Sequence, residues 1–295
     1  MRKIPAFTGD YVKLSEDKLL RLYRLILEED KAVRDVTSFF TPKKQVAAEI
    51  IFKEGGYVSG IPELSILFDL VRVSSKAERS DGDFVEEGSV VFELSGDSRS
   101  ILEVERTALN ILSRMSGITT LTRRYVEELK SSGSKAVVSA TRKTTPLFRY
   151  FEKRAVIVGG GVPHRMNLSD MVLIKDNHLK VFGGVEKALT AARGEGTHIP
   201  IEIEVTNLKD ALKAASSGAD VVMLDNMTPP QVKKVLSALD GKGLRERVCI
   251  EVSGGVNLEN IRDFGMLDVN LISVGGLTYA ASSIDASLQI TRILK

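Results

Sequence analysis

Arg142, Lys143, His164, Arg165 and Lys175 place four cationic groups and an imidazole within 34 residues of a 295-residue chain. That stretch holds seven Lys or Arg and two acids, a net +5, while the whole chain carries only +2. The charge is therefore local. A near-neutral chain has no broad field for nucleic acid or membrane, whereas a focused patch suits a small substrate with several negative charges. Arginine grips a carboxylate with a planar two-pronged fork, and an adjacent imidazole adds one more donor. Gly159-Gly160-Gly161-Val162-Pro163 delivers His164 and Arg165 side by side. A solvated helix face accounts for Lys153 and also suits Arg149 and Arg154. His178 reads equally as a ligand or a helix-start residue, and His198 reads as surface.

Further along the chain the polar residues change type. Ser253-Gly254-Gly255 and Val274-Gly275-Gly276 follow apolar runs and precede helical segments. Successive backbone N–H groups at such turns cradle phosphate. Within Ile201–Val205, Glu202 and Glu204 alternate with apolar residues, and Asp225 follows Val221–Leu224; Glu204 and Asp225 suit Mg²⁺, held directly or through water, or a sugar diol. Simple ion pairs to nearby lysines are the plainer reading.

Ordered elements must hold these residues. From about residue 118, short apolar runs alternate with turns and helical stretches. They are Ala136–Ala140, Met171–Ile174, Ile201–Val205, Val221–Leu224, Val248–Val252 and Leu271–Val274, with Ala155–Val158 as a further candidate. This rhythm predicts a β/α barrel one or two strands short of eight, with ligands at the carboxyl ends of the strands. A doubly wound sheet has the same rhythm, but no GxGxxG follows the first strand. Residues 1–115 mix helix and strand. Glu16–Glu29 has an apolar helical face with Ser15 as N-cap. Val46–Phe52 reads as a strand, Glu54-Gly55-Gly56 as a turn and Tyr57–Gly60 as the return strand. Asp81-Gly82-Asp83 and Glu87-Gly88 punctuate another small β region. A helix from Ile101 to Met115 is expected to end at Gly117.

Composition narrows the class. The single Cys249 lies in an apolar run, so disulfide frameworks and cysteine metal sites are excluded, and a buried thiol is expected. No apolar run approaches a membrane span, and the first residues lack a signal-peptide pattern. The expected location is cytoplasmic.

The motifs occur in a recognisable order. They are Glu105-Arg106-Thr107-Ala108-Leu109-Asn110, Ser116-Gly117-Ile118, Thr141-Arg142-Lys143-Thr144, Gly159-Gly160-Gly161 with His164-Arg165, Leu173–His178, Leu224-Asp225-Asn226 and Ser253-Gly254-Gly255. Together they resemble the quinolinate phosphoribosyltransferases, from about residue 20 onward. The resemblance implies an α/β fold: an N-terminal α/β sandwich domain (1–115, completed by a C-terminal helix at 280–295) and an incomplete β/α barrel (116–279). It implies transfer of phosphoribosyl from phosphoribosyl pyrophosphate to quinolinate with Mg²⁺ and loss of CO₂. By position, Thr141, Arg142, His164, Arg165 and Lys175 would bind quinolinate. Arg106 would enter from the other subunit of a homodimer, or of a higher oligomer. Lys143, Glu204 and Asp225 would serve the phosphoribosyl donor, with the two acids at the metal. Ser253, Gly254, Gly255, Val274, Gly275 and Gly276 would hold the 5′-phosphate. Lys143, Lys175, Glu204 and Asp225 are the catalytic candidates.

Three positions depart from the family pattern: the acidic-glycine segment, here Glu28–Thr37; Pro163, in place of Asn; and Tyr279, in place of His. Rival readings are a same-fold paralogue for another pyridine acid or associated with molybdenum transport, a Schiff-base aldolase using Lys175, and a regulatory nucleotide-binding module. The full set of carboxylate-binding cations favours quinolinate over the paralogue. An aldolase needs no pair of phosphate turns, and a binding module needs no Glu204 and Asp225.

Overall fold

The computed structural model describes Val12, residues 14–194 and residues 198–294. They form two compact units, one of residues 12–121, 145–159 and 280–295, the other of 122–144 and 160–279.

The first unit opens with α1 (Glu16–Glu29), as the apolar periodicity predicts. Ser15 occupies the N-cap position but makes no side-chain cap bond. Helix α2 (Val36–Phe40) is capped by the Asp35 carboxylate, which accepts from the Thr37 and Ser38 N–H groups. Strand β1 (Gln45–Phe52) alternates exposed and buried side chains, so one face packs inward. The residues after the Gly55-Gly56 turn do not return along β1. Instead β2 (Gly56–Tyr57) pairs antiparallel with β4 (Phe84–Val85). Helix α3 (Ile61–Leu70), β3 (Ser74–Ala77) and β5 (Val90–Asp97) complete this region.

Helix α4 (Ser98–Ser131) runs straight through Gly117, where the sequence reading ends it. Gly117 is there for proximity. A Cβ on it would lie 1.9 Å from the Ser282 carbonyl oxygen. Gly117→Ala is therefore expected to cost about 3 kcal/mol or more, since overpacking against backbone has no side chain to yield. Thermal unfolding checks this; a Tm within about a degree of wild type would contradict it.

Ala155–Val158 is not a strand. It lies in α5 (Arg149–Val158), whose Phe151, Glu152, Lys153, Ala155 and Val156 are buried. A four-residue apolar run cannot by itself distinguish the two states. Lys153 is fully buried, contrary to a solvated helix face. Arg154 pairs with Asp81 at 3.2 Å and Glu63 at 3.5 Å. Arg114 pairs with the buried Glu152 at 2.9 Å. Lys153 and Arg154 therefore serve the interior of the first unit.

The second unit is a six-stranded parallel sheet. Its strands are β6 (Val137–Ser139), β7 (Val172–Ile174), β8 (Ile201–Val205), β9 (Val221–Asp225), β10 (Cys249–Ser253) and β11 (Leu271–Ser273). The spatial order β6-β11-β10-β9-β8-β7 is a circle cut between β6 and β7. A doubly wound sheet would instead reverse direction from its centre, so the incomplete barrel stands. Val162 makes a parallel bridge to Ser139 beside β6. Between the strands lie α6 (Asp176–Phe182), α7 (Val185–Gly194), α8 (Leu208–Ser216), α9 (Pro229–Gly241) and α10 (Ile261–Gly265), and α11 (Gly276–Tyr279) follows β11. No described helix is long and apolar enough to cross a membrane.

The last segment is a strand, not the expected helix. β12 (Ala286–Ile293) pairs antiparallel with β1 and gives the first unit a four-stranded sheet, β12-β1-β5-β3. The alternation of Ala286, Leu288 and Ile290 has period two and fits this pleat. A register shift between Ala47 and Ala48 then breaks the alternation before Ile293.

Candidate active site

Side chains on a strand alternate faces, so every second residue of a barrel strand points inward. Met171, Val221, Cys249 and Leu271 form one buried cluster, with Val162 packed against it. Two residues on from each come Leu173, Met223, Glu251 and Ser273, with His164 following Val162. Two further on come Lys175, Asp225, Ser253 and Gly275. The last two groups, with Glu204 of β8, line one cavity of about 500 Å³. The side chains thus change from apolar to polar and charged toward the carboxyl ends of the strands. Cys249 sits in the apolar layer, where burial, reinforced by Glu251 and Glu202, pushes its thiol up to about 12. It is a core thiol, as expected.

Thr141, Arg142, Lys143, His164, Arg165 and Lys175 all line the cavity. Thr141 Oγ1 accepts from the Lys143 N–H at 3.1 Å, and Thr278 Oγ1 donates to the Lys143 carbonyl at 2.7 Å, fixing that turn. The Arg142 Nε is buried without a hydrogen-bond partner, a donor suited to an anion. Arg165 is 6% exposed and donates to the Met171 carbonyl at 3.2 Å. Burial and the neighbouring Arg142 push its pKa down, although a guanidinium remains charged. Lys175 pairs with Glu204 at 3.0 Å.

His164 is buried at φ 54°, a left-handed conformation that few side chains other than glycine adopt. Its Nδ1 accepts from the Arg165 N–H at 2.8 Å. Its Nε2 lies 3.2 Å from Glu251 and 3.3 Å from Glu202, both fully buried. Glu251 also accepts from Ser273 Oγ at 2.5 Å. Burial pulls the imidazole's pKa down, but Glu251 and Glu202 outweigh it and raise the value. The two acids favour the protonated ring, whereas the Arg165 N–H at Nδ1 favours the neutral tautomer with its proton on Nε2, toward both acids. Burial, then the charge of Glu251, raises the Glu202 pKa. Sequence reasoning missed Glu251 and Ser273 as site residues and noted Glu202 only for its alternation. The available signal was parity: Glu251 stands two residues before Ser253 on the same face.

Ser253, Gly254, Gly255, Gly275 and Gly276 line the cavity, but Val274 does not. Its N–H is taken by the Ser139 carbonyl at 2.9 Å, so it has no donor for a phosphate. Gly254 and Gly255 have φ of 87° and 67°, and a Cβ on Gly254 would lie 2.4 Å from Asn226 Oδ1. The helix after this turn begins only at Ile261, so the cradle there is loop backbone rather than a helix terminus. Asn226 Nδ2 donates to Asp225 at 2.6 Å and steadies that carboxylate. Tyr279 lines the cavity while 66% exposed.

His178 is a helix-start residue. Its Nδ1 accepts from the Lys175 N–H at 2.9 Å. His198 is exposed. Arg106 is exposed on α4 and lines a separate hollow of the first unit with Asn110, Ser113 and Asp285.

Comparisons with known proteins agree with this architecture. Residues 35–116 match the family model described as quinolinate phosphoribosyl transferase, N-terminal domain, and residues 118–289 match that for the C-terminal domain. The chain is 46% identical over 256 residues to a probable nicotinate-nucleotide pyrophosphorylase [carboxylating] of Archaeoglobus fulgidus, covering 87% of this chain and 98% of that protein. It is 37% identical over 275 residues to the Methanothermobacter thermautotrophicus protein of the same description, covering 92% and 99%. The solved nicotinate-nucleotide pyrophosphorylase from Francisella tularensis superposes with a TM-score of 0.87 at 34% identity, covering 96% of this chain and all of that one.

Proposed function

Since this chain belongs to the quinolinate phosphoribosyltransferase family, we infer that its barrel cavity is where quinolinate meets phosphoribosyl pyrophosphate. The enzyme transfers phosphoribosyl to quinolinate with decarboxylation, giving nicotinate mononucleotide, pyrophosphate and CO₂ for NAD biosynthesis. The observation that carries the reading is the composition of the cavity. Cations, three carboxylates and glycine turns all meet at the carboxyl ends of the strands.

Arg142, Arg165 and Lys175 take the two carboxylates, with Thr141 alongside. The orphaned Arg142 Nε supports this role. Lys175 exchanges its Glu204 partner for substrate in doing so. Ser253, Gly254, Gly255, Gly275 and Gly276 offer backbone N–H groups to the 5′-phosphate, and Lys143 faces the pyrophosphate. The pyridine nitrogen attacks the anomeric carbon and needs no protein base. Glu204 and Asp225 offset the positive charge that develops on the ribose as pyrophosphate leaves. These two all-oxygen side chains fit Mg²⁺, which takes one or two carboxylates and completes its shell with water and phosphate. When bound, the ion neutralises leaving-group charge. The enclosed His164, Glu202 and Glu251 cluster has a nitrogen donor and suits Mg²⁺ poorly.

Arg106 acts from a second copy of the chain in a homodimer. Exposed Phe39 and Phe40 on α2 support a self-association surface. The setting is cytoplasmic.

One assay tests the function: quinolinate, phosphoribosyl pyrophosphate and Mg²⁺, read as nicotinate mononucleotide. Product from nicotinate and none from quinolinate would overturn the substrate assignment.

A further inference from the structure

We propose that Glu202 and Glu251 are positioning residues for quinolinate, acting through His164, which serves as a strut for Arg165 rather than as a substrate ligand. The inference rests on the quinolinate reading above. Both ring nitrogens of His164 are engaged by the protein. Nδ1 holds the Arg165 backbone N–H at 2.8 Å, and Nε2 faces Glu251 at 3.2 Å and Glu202 at 3.3 Å. Ser273 braces Glu251 from β11 at 2.5 Å. The acids are fully buried on β8 and β10, rigid inner strands of the barrel. They also explain how a left-handed His164 is held, since a strained conformation persists only where its surroundings over-determine it. These contacts reach the Arg165 backbone, so they fix the origin of the fork that meets a substrate carboxylate, while Glu202 also attracts the guanidinium directly.

A strut and simple electrostatics have effects of opposite sign at this site. Two buried acids beside an anion site weaken anion binding by charge alone, so removing one should tighten it. A strut role demands the reverse. Glu251→Leu removes the acceptor and is expected to raise the KM for quinolinate about 10- to 100-fold, the scale of a misplaced positioning group. The KM for phosphoribosyl pyrophosphate stays unchanged. Glu251→Gln keeps an acceptor for Nε2–H and stays within about threefold of wild type. Should Glu251→Leu fail to fold, Ser273→Ala, which only unbraces the carboxylate, gives a smaller rise of about two- to fivefold in the same constant.

A second readout needs no variant of the acids. Nitrogen-15 spectra of the three histidines, assigned with His164→Asn, are expected to show a protonated Nε2 that does not shift when quinolinate is added. A quinolinate KM that is unchanged or lower in Glu251→Leu, a parallel rise in both KM values, or a large quinolinate-induced shift at His164 would each overturn the strut. Absence of turnover by the wild-type enzyme would instead overturn the function on which the inference rests.

Discussion

Arg106→Ala and Lys175→Ala proteins, each inactive alone, regain about a quarter of wild-type activity when mixed and allowed to exchange subunits. Lys175 lines the barrel cavity, while Arg106 is exposed in a separate hollow of the first unit. If a second copy supplies Arg106, each complete site draws on two chains. Random exchange makes about half of the dimers mixed, and in each of these one site of two receives both intact residues. That proportion sets the expected recovery. The control is a Lys175→Ala, Arg106→Ala double variant mixed with either single variant, which restores nothing. Mixed dimers that form, shown by differential tags, yet remain inactive would exclude a shared site.

Arg165→Ala lowers kcat/KM for quinolinate by about 10²–10³, or roughly 3–4 kcal/mol, the range for removing one partner of a buried charged pair. Arg165 is 6% exposed and fixed at both ends, by the His164 ring at its backbone and by the Met171 carbonyl at its guanidinium. A group so ordered before substrate arrives loses little entropy on binding. Arg165→Lys keeps the charge but not the fork, and recovers less than about tenfold of the loss. Steady-state kinetics with quinolinate varied at saturating phosphoribosyl pyrophosphate measures it. A loss under threefold would remove Arg165 from the substrate grip.

The barrel was legible because its strands are buried on both faces. Each reads as an apolar run of three to five residues ending in a charge or a glycine. The same property misleads for Ala155–Val158, equally apolar but part of a helix. Glycine has the same ambiguity. At Gly254 and Gly255 it marks a positive φ, as a turn requires, whereas at Gly117 it marks only the nearness of Ser282 inside a continuing helix. The five residues singled out between 142 and 175 do converge on one cavity. Charge counting was wrong about Lys153 and Arg154 because a tally of signs cannot see which unit of the molecule a helix enters. It was equally blind to Glu202 and Glu251, acids within apolar strands, whose partner His164 lies 38 and 87 residues away in the chain.

The pairing of β1 with β12 has a consequence for synthesis. Val46 finds its neighbour in Ile293, 247 residues later. At a ribosomal pace of ~5–20 residues per second, that separation is roughly 12–50 s of translation. Every strand of the barrel leaves the ribosome before the residues that complete the first unit's sheet. The first unit, begun earliest, is therefore finished last, and β1 waits as an open edge until the final residues of the chain emerge.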